Sequence, residues 1–135
     1  MTIFFKGTTG LVGVLFLLIG LAGLLTPQDF AASLQLRLDN PEGAGSVRSM
    51  IGAHYVAMGS VCLFASFRAR PGLLWPVAAI EIAMVFARLL SAVNGEFGAS
   101  ALIPTVIEIL ASVLLVLAAT NQERAGSGQT EGQER

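Results

Sequence analysis

Three charged side chains stand where charge is costly. Glu81 and Arg88 interrupt the apolar run from Leu73 to Val93, and Glu108 interrupts a second run from Ser100 to Thr120. Each run reaches the length of about 20 residues that crosses a hydrocarbon core. At a helix centre a charge costs roughly 2.5–3.5 kcal/mol on the insertion scale, whereas each Leu, Ile, Phe or Val returns only about 0.3–0.6. Glu81 and Arg88 are seven positions apart, so at about 100° per residue they share one helix face and can turn inward together. Two carboxyl groups and a guanidinium in a dry interior can lock helices together, hold the head of an amphiphile or an anion, or pass a proton.

Helix rise gives the depth of each group. Counted from the turn Asn94-Gly95-Glu96-Phe97-Gly98, Arg88 sits about 13 Å in, Glu108 about 17 Å and Glu81 about 23 Å. Side chains lean toward the N-terminus of their own helix, so Arg88 leans inward and Glu108 outward, and these two form the first ion pair. Glu81 is left deeper, either as a neutral hydrogen-bonding acid or sharing the long arm of Arg88. Tyr55 and His54, on the preceding span, come within a few residues of the level of Arg88, and Tyr55 adds a hydroxyl to the layer. Arg48 opens that span and is a further candidate. His54 falls off the stripe of Arg48, Gly52, Tyr55, Gly59, Cys62 and Ser66, which favours a packed structural role over proton carriage, although an imidazole would suit that task.

Other chemistries are excluded by the residues present. No Gly-rich loop with a following Lys cradles phosphate. No Glu-x-x-His motif supplies a carboxylate di-metal bundle, because Met84 and Ala111 stand at that spacing after Glu81 and Glu108. One cysteine, Cys62, and one histidine, His54, make neither an internal disulfide nor a conventional metal site within a chain. A Ser-His-Asp triad would need Asp29 or Asp39, both in a loop, to reach a histidine inside a span. No catalytic residue, cofactor or metal is therefore expected.

The elements that must position the polar layer are set by composition. The 135 residues are 54% hydrophobic and 13% charged with mean hydropathy +0.73, one domain by length and too apolar for an ordinary soluble one. A net charge of −1 and a pI near 5.7 give no basic face for nucleic acid. Spans are expected at about 8–26, 47–67, 73–93 and 100–120, an all-α integral membrane four-helix bundle within residues 1–120. The first run, after Lys6, also has the outline of a signal peptide, with small residues at Leu21-Ala22-Gly23, but its length and the three spans behind it favour a retained helix. Gly10, Gly13, Gly20 and Gly23 share one side of it and suit close helix packing.

Residues 27–46 form a long polar connection. Its middle, Phe30 to Leu38, reads as an interfacial helix started by Thr26 or Asp29 and stopped by Asn40-Pro41. A passive surface helix is favoured there over a lid. Residues 121–135 are polar, Gly- and Gln-rich, and read as a disordered tail. Lys6, Arg68, Arg70, Arg124 and Arg135 gather on one side of a four-span topology, against Arg37 and the boundary residue Arg48 on the other. The positive-inside rule then puts both termini in the cytoplasm.

The glycine-rich first span, the Pro-containing outer connection, Arg48 and Gly52 opening the second span, Arg88 shortly before Asn94-Gly95, and Glu108 in the fourth together resemble the family catalogued as domain of unknown function 4345, over roughly residues 8–120. Ile51 and Ala53 stand where that family's pattern has an aromatic residue and a second glycine. The resemblance implies four helices in a bacterial plasma membrane and no established activity. In general build the chain is also similar to DoxX-like small membrane proteins. The expected function is binding of a small amphiphile, lipid or anion in an outward-leaning pocket of Arg88, Glu108, Glu81, Tyr55, Arg48 and His54, with Arg88 as the anchor. The rivals are an assembly protein whose cluster only stabilises the bundle, and a proton-coupled carrier using Glu81, which with so few spans would need a homo-oligomer.

Overall fold

A computed structural model describes residues 3–130. Its helices are α1 (Ile3–Leu25), α2 (Pro27–Ser33), α3 (Pro41–Arg68), α4 (Pro71–Val93) and α5 (Leu102–Thr130). Among the described residues there is no strand. The helices α1, α3, α4 and the Leu102–Thr120 part of α5 are each long and apolar enough to cross a membrane. The fold is thus an all-α bundle of four spanning helices, that of a multi-pass membrane protein.

Local chemistry sets the helix ends. Pro27, Pro41 and Pro71 each open a helix, where a missing N–H is no loss and φ is already helical. Asn40 caps α3, its side chain accepting a hydrogen bond from the Gly43 N–H at 2.8 Å. The pair Asn40-Pro41 therefore starts α3 and does not stop the helix before it. That earlier helix ends sooner, after Ser33, because Gln35 turns left-handed with φ 59° and the Leu36 N–H reaches back to the Ala31 carbonyl at 2.9 Å. The same closure ends α3 at Ala69 and α4 at Gly95, the last with φ 74°, where glycine alone carries no steric penalty.

Beyond Thr120 the backbone of α5 stays helical to Thr130, where the sequence suggests a disordered tail. Gln122, Glu123, Arg124 and Ala125 are good helix formers, and extending an existing helix needs no new nucleus. Residues 131–135, the end of that expected tail, lie outside the described residues.

Two helix pairs build the bundle. Along the α1–α3 seam glycine meets backbone: a Cβ on Gly20 would sit 2.6 Å from the Val56 nitrogen, and one on Gly59 would sit 2.7 Å from the Gly13 carbonyl oxygen. Only glycine allows helices to approach that closely, and in lipid such contact replaces the hydrophobic drive that water would supply. The Ser66 hydroxyl also donates to the Lys6 carbonyl at 2.8 Å, tying α3 to the start of α1. The second pair, α4 and α5, joins the first through a core of Phe16, Cys62, Leu74, Ala78, Leu115 and Ala118, all buried. This core fills the half of the bundle nearer the chain termini. Leu18, Leu25, Phe86, Leu90, Ile103 and Val113 instead stand exposed on the perimeter, as helices in contact with acyl chains require.

Within α3, residues Val47–Gly52 form a wide π-helical turn, closed by the Ala53 N–H on the Arg48 carbonyl. A wide turn carries one extra residue, so the residues on its N-terminal side are rotated by roughly 100° about the helix axis relative to those on its C-terminal side.

Candidate functional site

Above the core, toward the connections, the two pairs part and leave a cavity of about 480 Å³. Glu81, Glu108, Tyr55 and Phe16 line it among others, and Phe30 and Leu34 of the connection contribute to its wall. Its volume lies within the range of about 300–1,000 Å³ common for small-molecule sites, and a largely apolar wall with few polar groups is their usual chemistry.

Arg88 and Glu108 meet across α4 and α5. The guanidinium donates through Nε to Oε2 at 3.3 Å and through Nη2 to Oε1 at 3.2 Å, a forked pairing. The Glu108 side chain is 6% exposed, whereas that of Arg88 is 33% exposed. Arg88 also borders a second hollow of about 320 Å³, shared with Gln35 and Glu96, so its charged end stands between that hollow and the cavity. The Glu108 carbonyl in turn accepts from the Ser112 hydroxyl at 2.7 Å.

Glu81 is wholly buried, and neither of its carboxyl oxygens has a hydrogen-bond partner. It borders the cavity about two turns below Arg88 on the same helix. A buried carboxyl without a partner is costly in either protonation state, because polar groups leaving water must replace the bonds they lose.

The remaining expected residues divide. Tyr55 lines the cavity, packs edge-on against Phe16 with centroids 5.5 Å apart, and directs its hydroxyl at the Met84 sulfur at 3.9 Å. His54 also lines the cavity, its ring edge-on to that of Tyr55 at 6.2 Å. Its position off the small-residue stripe does not remove it from the site: Gly52 and Gly59 face α1, and the cavity wall is a neighbouring face of α3. Arg48 is not part of the cavity. It is exposed, and its Nε donates to the Leu24 carbonyl at 3.0 Å, satisfying an acceptor in the last turn of α1. The wide turn separates Arg48 from Tyr55 in helix phase, which uniform 3.6-residue spacing does not reveal.

Sequence reasoning does not single out the apolar wall, in particular Ile19, Phe30, Leu34 and Ile107. An apolar residue beside a void has the same residue type as one in a packed core. Among the described residues no cluster of His, Cys, Asp and Glu is arranged to hold a metal.

A helical multi-pass membrane protein of four apolar spans is the class that the fold defines. Within that class, the chain belongs to the family described as Domain of unknown function (DUF4345), whose model matches residues 4–119. No curated protein and no solved structure matches it, and the broader likeness to DoxX-like proteins has no support from these comparisons.

Proposed function

We propose that the protein binds a small amphiphile inside the membrane, the apolar chain in the cavity and the polar head at the layer of Glu81, Arg88 and Glu108. The observation that carries this reading is the fully buried Glu81, both oxygens unpartnered, on the wall of a cavity of about 480 Å³. A group placed only to lock the bundle would be expected to have its partner within the bundle. Supporting it, Arg88 keeps three guanidinium N–H donors beyond the two used on Glu108 and is partly reachable from the second hollow. In this reading the chain sits in a bacterial plasma membrane with both termini cytoplasmic, supported by Lys6, Arg68, Arg70 and Arg124 at one end of the spans.

Native mass spectrometry of the purified protein should find a retained lipid or metabolite. Arg88→Leu should reduce its occupancy severalfold and remove ligand-dependent thermal stabilisation. Unchanged retention in that variant would sink the role of Arg88.

A second reading is favoured by one observation, the forked Arg88–Glu108 bond joining α4 to α5: the cluster stabilises the bundle and binds nothing. Replacing Glu81, Arg88 and Glu108 together by apolar residues of similar volume would then leave both fold and cellular phenotype intact.

A further inference from the structure

The charges around the cavity do not balance, and the imbalance points to the kind of head it takes. Four side chains able to carry charge line it: Glu81 and Arg88 from α4, Glu108 from α5 and His54 from α3. Arg88 and Glu108 already face each other through two hydrogen bonds. What remains is the Glu81 carboxyl, which borders the cavity with no exposed surface of its own and whose oxygens have no hydrogen-bond donor among the described residues. The Tyr55 hydroxyl, also of a residue on the cavity wall, is turned to Met84. Among the described residues no lysine or second arginine lines the cavity to complete the set.

Resting on the amphiphile-binding reading above, we propose that the occupant is a single-chain amphiphile with a primary amine head, held by Glu81. An amine supplies up to three N–H donors to a group whose surviving valence is accepting. It also solves the desolvation problem. A neutral amine and a neutral carboxylic acid can enter and meet in the cavity, and the pair then shares one proton whichever partner carries it, so no net charge is brought into the apolar interior. A fatty carboxylate fits worse at Glu81, since it would place a second acceptor-only carboxylate beside it and leave both without a donor there. An alcohol head satisfies one acceptor only and ranks between them.

The test uses the full chain in nanodiscs of zwitterionic phospholipid, with dodecylamine, dodecanol and dodecanoate as probes of equal chain length and thermal unfolding as the readout. Dodecylamine should stabilise most, with apparent affinity about tenfold or more above that of dodecanoate. Glu81→Gln, which keeps the shape and one acceptor, should abolish the advantage of the amine over the alcohol. Should dodecanoate stabilise best, or the amine advantage survive in Glu81→Gln, the assignment of the head is overturned while amphiphile binding stands. If none of the three shifts the wild-type protein, amphiphile binding falls with it. Where Glu81→Gln does not fold, the probe order on the wild-type chain decides alone.

Discussion

The half of the bundle near the chain termini and the half near the connections are made from the same four helices, yet they solve packing in opposite ways. In the first, small and apolar residues such as Ala65, Ala78, Ala118 and Leu115 are wholly buried and touch one another. In the second, larger residues such as Ile19, Met84 and Ile107 border open space, and the polar groups gather at the boundary. Close helix approach in lipid depends on small side chains. Within the α1–α3 pair glycine contact continues into the second half, at Gly20, Gly23 and Gly52; it is between the two pairs that bulky and charged residues replace small ones and the helices diverge.

That contrast can be broken most severely at its foundation. Gly20→Val adds bulk where a single Cβ would already lie 2.6 Å from the Val56 nitrogen; the α1–α3 seam should lose about 3 kcal/mol or more, seen as an early midpoint in denaturation by SDS in mixed micelles. Matched enlargements sharpen it further. Ala118→Leu, in the closed half where Ala118 has no exposure, should cost about 2 kcal/mol. Ile107→Phe, on the cavity wall, should stay within about 0.5 kcal/mol of wild type because the added ring has empty volume to enter. Equal penalties at the two sites would mean that the halves pack alike.

A loss smaller than those at the two packed sites falls at the boundary. Glu108→Gln leaves Arg88 without its carboxylate, but a side chain 33% exposed can turn to the second hollow, so the loss should be about 1 kcal/mol. Adding Arg88→Met to the same chain should recover most of that loss, a coupling measured by a double-mutant cycle.

The architecture and part of the site were legible in the residues. Hydropathy and length suffice for four spans, since a bilayer imposes both. Helix rise and side-chain lean bring Arg88 and Glu108 to a common level, and in the structure the two are hydrogen-bonded. Glycine spacing in the first span likewise anticipates a close seam, and Gly13, Gly20 and Gly23 lie against α3. What the residues hide is phase and emptiness. The wide turn at Val47–Gly52 breaks uniform periodicity and takes Arg48 out of line with Tyr55. His54 is placed by which face of α3 borders the void, a property of three helices together. The early end of α2 depends on the left-handed backbone of Gln35, a residue with no strong preference for that conformation.

The short helix α2 is firmly seated. Pro27 and Ala31 are almost without solvent exposure, and only Thr26 separates the helix from α1. That seating fixes the Phe30 and Leu34 part of the cavity wall to the end of α1, while Met50 and Ile103, both largely exposed, form its open side and would face acyl chains.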